Sequence, residues 1–179
     1  MNESPESLPD LPADLAGRFA KLYPELHRMA RAKLRREDTL TLLDTTSLVH
    51  ESFMRLSGSG ALRSDEQPAF FAYASQVMRS VIVDHARARR TQRRGDGATH
   101  VPLDTVGMEQ LRAPEDEVLD VHEALQVLEQ AEPRLARVVE MQYFGGLTDA
   151  EIAQALGITD RTVRRDWQKA RLLLKMALS

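Results

Sequence analysis

The sequence predicts an all-α protein with two helical domains, the second containing a helix-turn-helix, joined by a flexible linker. Apolar residues recur at helical spacing along most of the chain, and no stretch alternates convincingly as a strand would. Aromatic residues make up only 5% of the 179 residues, which also favours helices. The helical period is lost at residues 95–114, which predict the linker because they contain Gly95, Gly97, Pro102, Gly107 and Pro114.

The first domain is predicted to span residues 14–94 and to contain three helices. Residues 1–13 carry three prolines and several acids, and they are expected to form a disordered tail. Each predicted helix has a stripe of apolar residues at helical spacing. The three ranges are Leu15–Arg36, Thr45–Leu56 and Ala69–Arg94.

The second domain is predicted to span residues 115–179. Its first two helices are Glu115–Gln130 and Pro133–Phe144, and Gly145-Gly146 ends the second of them. A helix-turn-helix follows. Thr148 and Glu151 form a Ser/Thr-x-x-Glu capping box that starts its first helix.

The turn and the second helix of this motif are also marked in the sequence. Gly157 stands where the chain must turn sharply, and Thr159 can cap the helix that follows. This helix has one apolar face and a basic, amide-bearing opposite face, which suits entry into a major groove. The alternative to a DNA-reading helix is a solvated helix of an ordinary helical bundle. The apolar residues are Val163, Trp167, Ala170 and Leu174, and the candidate DNA-binding residues are Arg161, Arg164, Arg165, Gln168, Lys169 and Arg171.

Composition excludes several other classes of protein. The absence of cysteine rules out a disulfide framework and cysteine-ligated zinc, and it suits a reducing cytoplasm. The five histidines have no ligand-like spacing, and no phosphate-binding glycine loop or nucleophile–base pair stands out. We therefore predict no enzyme activity, metal, cofactor or catalytic residue. No apolar run reaches membrane-spanning length, so no membrane insertion is expected.

Charge is strongly segregated, although the net charge of −3 is unusual for a DNA-binding protein. Six arginines and one aspartate lie between Val77 and Arg94, and nine acids and one arginine between Asp104 and Glu132. An arginine-bearing helix with Phe70, Phe71 and Tyr73 near its start suits single-stranded DNA. The alternative, favoured for both phenylalanines, is that the rings belong to the core. The exposed side of this helix is predicted to carry Arg79, Arg87, Arg89, Arg90, Arg93 and Arg94.

The chain resembles a bacterial RNA polymerase sigma factor of the extracytoplasmic-function (ECF) group, and three of its motifs carry the resemblance. Leu48–Leu56 (LVHESFMRL) resembles the family's core-polymerase-binding helix. Phe70–Arg90 resembles the helix that melts and holds the minus-ten element. Tyr143–Ala153, with the helix that follows, resembles the domain that reads the minus-thirty-five element. The three motifs occur in the family's order.

The resemblance implies a non-catalytic specificity subunit that binds the beta-prime clamp of core polymerase and both duplex and single-stranded promoter DNA. The loop 57–68 would capture a flipped base, and Arg171 would contact a phosphate. Core polymerase would be bound through Asp44, Leu48, Val49, Glu51 and Phe53.

The chain departs from the family's usual acidic pattern just before Leu48, and this points to a subgroup with a non-acidic core-binding motif. Relatives carry mostly carboxylates there, whereas this sequence reads Asp44-Thr45-Thr46-Ser47. Either Thr46 or Ser47 simply caps the helix, or a Ser/Thr kinase phosphorylates Thr45, Thr46 or Ser47 and so restores the missing negative charge. A second departure is Asp166, which is expected to pair with Arg165 or Lys169, or to weaken a phosphate contact.

Two other functions compete with that of a sigma factor. One is a helix-turn-helix regulator that acts without polymerase, which leaves the arginine-rich helix unexplained. The other is a sigma-like decoy that binds an anti-sigma protein, which should have lost its DNA-reading residues. An anti-sigma protein is also a candidate regulator of the sigma factor itself.

Overall fold

A computed structural model describes residues 13–36, 43–58, 67–95 and 113–178, and every regular element in these ranges is helical. The predicted all-α fold class is confirmed. The tail 1–12, most of the loop after α2 and the linker residues 96–112 lie outside the described residues. The helices are α1 (Ala13–Arg36), α2 (Thr45–Gly58), α3 (Gln67–Gly95), α4 (Pro114–Ala131), α5 (Pro133–Val139), α6 (Asp149–Leu156) and α7 (Asp160–Ala177).

Helices α1, α2 and α3 form an N-terminal bundle in which α2 packs against both of its neighbours. Leu48 and Phe53 on the inner face of α2 are fully buried, as are Met29 of α1 and Met78 of α3. Because α2 is only 14 residues long, this packing contributes more to its stability than helix propensity does.

Helices α4 to α7 form a C-terminal bundle. Helix α5 continues as a π-helical turn, Glu140–Phe144, which ends at Gly145. The predicted capping box is present, because Thr148 N donates to Glu151 Oε2 at 2.9 Å and Glu151 N donates to Thr148 Oγ1 at 3.3 Å. Gly157 ends α6 in the left-handed region, with φ of 65°.

The two bundles pack directly against each other, so that one continuous apolar core runs through both. Helix α3 is the central element, since it contacts α2 on one side and α4, the π-helical turn and α6 on the other. The Gly145-Gly146 turn fits closely against α1 and α3. A Cβ atom on Gly146 would lie 2.8 Å from the Met29 carbonyl oxygen, and one on Gly145 would lie 2.2 Å from Ser75 Oγ.

None of the helices in the described ranges combines the length and the apolarity needed to cross a membrane.

Candidate nucleic-acid interface

Helix α7 presents a continuous basic face to solvent. Thr159 caps the helix by accepting a hydrogen bond from Thr162 N at 3.3 Å. Val163 and Ala170 are fully buried beneath it, which turns the predicted basic residues outward. All six predicted side chains are exposed: Arg161, Arg164, Arg165, Gln168, Lys169 and Arg171.

The first turns of α7 form an open depression of about 400 Å³, lined by Arg161, Thr162, Arg164, Arg165 and Gln168. Several guanidinium groups and one amide therefore face the same space. This combination can bind phosphates and can form paired hydrogen bonds with base edges.

Two cations of this face pair with partly exposed acids. Arg164 Nε lies 3.2 Å from Asp149 Oδ2, and Lys169 Nζ lies 2.6 Å from Glu132 Oε1. All four side chains are at least partly exposed, and such surface pairs contribute only about 0–1 kcal/mol. Both cations can therefore exchange these partners for a phosphate at little cost.

Asp166 lies on the inner side of α7 and is only 3% exposed. Its carboxylate accepts two hydrogen bonds from Arg134 of α5, from Nε at 2.7 Å and from Nη2 at 3.3 Å. Arg165 lies near the same carboxylate at 3.6 Å, as the sequence suggested. Lys169, the other partner that the sequence offered, pairs with Glu132 instead.

The arginine cluster on α3 is only partly free. Arg87, Arg89 and Arg94 are exposed and Arg90 is half-exposed. Arg93 is paired with the first turn of α4, at 3.1 Å from Glu115 and 2.8 Å from Asp116. The hydrogen bond with Asp116 raises the pKa of Arg93.

Arg79 was predicted on the exposed side of α3, and this placement is wrong. Its side chain is 9% exposed and donates to Glu140 at 3.0 Å, to Glu129 and, through Nε, to His122 Nδ1 at 3.1 Å. Burial raises the pKa of Glu140, and burial together with Arg79 lowers the pKa of His122. The imidazole is therefore the neutral acceptor that this contact needs.

The apolar residues of the predicted core-binding motif face the interior. Leu48, Val49 and Phe53 are at most 1% exposed, so they support α2 and cannot themselves contact a partner. Two acids of the motif, Asp44 and Glu51, lie at the surface. Glu51 is hydrogen-bonded to His85 at 2.9 Å.

Asp44, rather than Thr46 or Ser47, caps α2. Its Oδ1 accepts from Ser47 N at 2.9 Å, and its carbonyl oxygen accepts from Leu48 N at 3.1 Å. Ser47 Oγ donates to Asp44 Oδ2 at 2.9 Å, whereas Thr46 is exposed. The hydrogen bonds from Ser47 lower the pKa of Asp44.

Sequence reasoning missed Arg134, Glu140 and Lys33. Lys33 is 1% exposed and its ammonium group lies 3.6 Å from the centre of the Tyr143 ring. One available signal was that α3 has two apolar stripes, since Phe71, Met78 and Ile82 are buried in addition to Ala74, Val77 and Val81. A helix that is apolar on two sides is expected to be buried on both.

The described residues contain no cluster of histidine, aspartate and glutamate that could hold a metal ion. Neither a search of curated proteins nor a search of solved structures found a match to the chain. A sequence model of the family described as "ECF sigma factor" matches residues 13–179, which is nearly the whole chain. The chain therefore belongs to the ECF sigma factor family.

Proposed function

We propose that this ECF sigma factor reads duplex promoter DNA with the exposed face of α7 and holds the opened strand with the arginines of α3. Members of this family are alternative sigma factors in transcription initiation, with core polymerase and promoter DNA as partners. The observation that carries the proposal is the depression at the start of α7, where Arg161, Arg164, Arg165 and Gln168 face the same space.

The packing of α7 supports this assignment. The helix is fixed by its apolar face and by the Asp166–Arg134 pair, so the exposed side chains project from a rigid support. We assign Arg165 and Gln168 to base edges, because both present paired donors or acceptors. We assign Arg161, Arg164, Lys169 and Arg171 to phosphates.

We assign core binding to the surface around the start of α2. Asp44 supplies one carboxylate there, and Glu51 supplies a second one about two helical turns further along. Leu48, Val49 and Phe53 hold α2 in place from below. Residues 14–94 would act as the core-binding and strand-opening domain, and residues 115–179 as the duplex-reading domain.

The test is transcription with purified components. Core polymerase is mixed with the protein, and run-off transcription is measured on promoter fragments selected by the protein from a random pool. The expected result is co-purification with core and initiation at one position. Sequence-specific duplex binding without core association would replace this proposal with a regulator that acts alone.

The non-acidic motif supports a further proposal, that Thr46 is phosphorylated to complete the core-binding surface. Thr46 is exposed in the first turn of α2, where the helix dipole favours a negative group. Ser47 is a poorer acceptor because its hydroxyl donates to Asp44, so a phosphate there would meet a carboxylate. A phosphate adds about −1.5 to −2 charge, which is comparable to two carboxylates.

The experiment compares core affinity of the unmodified protein, the protein phosphorylated by a Ser/Thr kinase, Thr46→Ala and Thr46→Glu. Phosphorylation should tighten binding, and Thr46→Glu should do so in part because it adds a single charge. Thr45→Glu is the matched control, since Thr45 is half-buried. If the unmodified protein already binds core as tightly as the phosphorylated form, residues 44–47 act only as a helix cap.

A further inference from the structure

The last two turns of α3 extend beyond the hydrophobic core. The helix has no buried residue after Ala86, and every residue from Arg87 to Gly95 is exposed or half-exposed. In the described part of the chain, the ion pairs of this stretch with another helix are those that Arg93 makes with the first turn of α4. A helix end with few buried contacts opens locally at a low cost in free energy. We name residues 87–95 the exposed end of α3.

Thr91 is the only residue with a hydroxyl group in the exposed end of α3, and arginines surround it in the sequence. Its side chain is exposed, and its Oγ1 donates to the carbonyl oxygen of Arg87 at 3.0 Å. Arginines stand one, two and four positions before it, at Arg90, Arg89 and Arg87. No other serine or threonine of the described ranges has more than one arginine among the five residues before it. Charge complementarity therefore favours recognition of Thr91 by an acidic surface.

We propose that a Ser/Thr kinase with an acidic substrate groove phosphorylates Thr91, and that the phosphate closes the arginines of α3 to single-stranded DNA. The inference rests on the proposed DNA-binding role of α3, but neither on the reading of duplex DNA by α7 nor on Thr46. The two phosphates would act in opposite directions. One on Thr46 would strengthen the contact with core polymerase, whereas one on Thr91 would weaken the contact with DNA.

The transfer requires Mg-ATP as the co-substrate of the kinase. Thr91 Oγ1 attacks the γ-phosphorus, the bond from this phosphorus to the β–γ bridging oxygen breaks, and ADP leaves with that oxygen. The hydroxyl proton passes to the catalytic aspartate of the kinase. Protein kinases bind the segment around the hydroxyl in an extended form. The exposed end of α3 can unwind to this form because none of its residues is buried in the core.

A phosphate on Thr91 would be held by arginines of the same helix face. Arg87 lies four positions before Thr91 and Arg94 three positions after it, and residues at these spacings are neighbours on a helix. Both arginines are exposed, and Asp84 lies 3.8 Å from the Arg87 guanidinium group, which is too far for a hydrogen bond. A phosphate offers three strong acceptor oxygens to such groups. Arg87 and Arg94 would therefore be occupied from within the chain.

The phosphate also changes the electric field that a nucleic acid meets. Residues 87–95 contain five arginines and no acid, so their formal charge is +5. A phosphate with about −1.5 to −2 charge lowers this to about +3. The helix dipole disfavours a negative group near the C-terminus of α3, which loosens the turns that carry the arginines. Occupied arginines, a lower charge and a looser helix end all weaken the contact with DNA phosphates.

The kinase for Thr91 would differ from the kinase for Thr46. No arginine stands among the five residues before Thr46, and Asp44 lies two positions before it. An acidic substrate groove would repel this carboxylate, so the two sites can be modified independently.

The experiment uses the full chain bound to core polymerase and a single-stranded oligonucleotide of the minus-ten region. The unmodified protein is compared with the protein treated with an arginine-directed Ser/Thr kinase and Mg-ATP, before and after phosphatase, and mass spectrometry identifies the modified residue. Thr91→Ala is the control for kinase treatment. Thr91→Glu and Thr91→Gln differ by one charge at similar size, so they separate charge from bulk. Duplex binding and core affinity are measured in parallel.

Kinase treatment should place a phosphate on Thr91 and weaken oligonucleotide binding at least about tenfold, and phosphatase should restore the binding. The slope of affinity against salt concentration should fall by about 1.4, which is about 0.7 for each of the two occupied arginines. Thr91→Glu should weaken binding in part, whereas Thr91→Gln and kinase-treated Thr91→Ala should not. Duplex binding and core affinity should stay the same. In cells, the Thr91 phosphopeptide should be present when the promoter is silent.

Three outcomes would overturn the inference. The first is a kinase-treated protein without phosphate on Thr91. The second is a protein phosphorylated at Thr91 that binds the oligonucleotide as tightly as before. The third is the absence of the Thr91 phosphopeptide from cells in which the promoter is silent.

A separate variant, Arg89→Gln with Arg90→Gln, tests the underlying role of α3 in the unmodified protein. If this variant binds the oligonucleotide as tightly as the unaltered chain, the proposed function of α3 fails and the inference fails with it. If the variant binds more weakly but phosphorylation of Thr91 has no effect, the inference fails and the proposed function of α3 stands.

Discussion

Arg79 of α3 and Glu140 of the π-helical turn form an ion pair at 3.0 Å in which both side chains are less than a tenth exposed. The two residues are 61 positions apart in the chain and belong to different bundles. Burial raises the pKa of Glu140, and the Arg79 guanidinium offsets part of that rise. The pair is therefore sensitive to the loss of either partner.

Replacing Arg79 with Met should lower the free energy of unfolding by about 3–5 kcal/mol near neutral pH, because Glu140 is left as a buried, unpaired carboxylate. The pKa of Glu140 should rise further, so the folded state binds a proton that the unfolded state releases. Stability then falls as pH rises from the ordinary glutamate value through the raised one, and the deficit shrinks in acid. Chemical denaturation across a pH series measures this. Arg89→Met, on the exposed side, should change stability by less than about 0.5 kcal/mol.

Gly146→Ala should destabilise the protein more than Gly157→Ala does. Both glycines have positive φ, 63° and 65°, so each substitution incurs the left-handed strain of about 1–2 kcal/mol. Only at Gly146 would the new methyl group also meet the backbone of α1, whereas nothing lies within 4 Å at Gly157. Thermal unfolding of the two variants measures the difference, and equal losses would mean that the bundles do not dock in solution.

Arg134→Ala should lower stability by about 1–3 kcal/mol, since the Asp166 carboxylate would lose its two hydrogen bonds while remaining buried. It should also weaken duplex binding, because the pair holds α7 against α5. Arg161→Ala leaves this support intact and should affect binding alone. Equal thermal stability of the two variants would argue against a supporting role for Arg134.

Arg165→Ala or Gln168→Ala should relax the sequence preference for the upstream element by about 1–3 kcal/mol at the base pair concerned. Arg171→Ala should weaken binding to all sequences alike, as expected for a phosphate contact. Competition between specific and scrambled duplexes distinguishes the two effects. Similar losses on both duplexes for all three variants would contradict the assigned roles.

Neutralising Arg89, Arg90 and Arg93 together should flatten the salt dependence of promoter binding. Each lost contact with a single-strand phosphate should lower the slope by about 0.7. Titration of binding over a range of salt concentrations measures this, with Arg137→Gln on α5 as the control. An unchanged slope of affinity against salt concentration would mean that these three arginines do not contact the DNA.

Most of the helix bounds could be predicted because they depend on interactions between residues that are close in sequence. The predicted helix bounds of the N-terminal bundle lie within two residues of those observed. The Thr148–Glu151 box and the turn at Gly157 depend on residues at most a few positions apart, so the sequence contains the whole interaction. The outward direction of Arg165 and Gln168 follows from the same periodicity that buries Val163.

Contacts between residues that are distant in sequence could not be predicted from these local patterns. Asp166 was assigned to neighbours on its own helix, but its main partner, Arg134, is 32 positions away. Asp44 caps α2 in place of Thr46 or Ser47, since Ser, Thr and Asp are similarly good caps and the choice depends on the path of the chain.

The sequence by itself determined the helices, the helix-turn-helix and its basic face, because periodicity, capping and turn residues act over a few positions. Only the tertiary structure decided that α3 is buried on two sides and that Arg79 faces acids instead of solvent. Charge segregation was visible in the sequence, but which arginine meets which carboxylate depends on how the bundles dock. That docking is fixed by the close approach of Gly145 and Gly146 to α3 and α1, where packing and desolvation outweigh the local preference of an arginine for water.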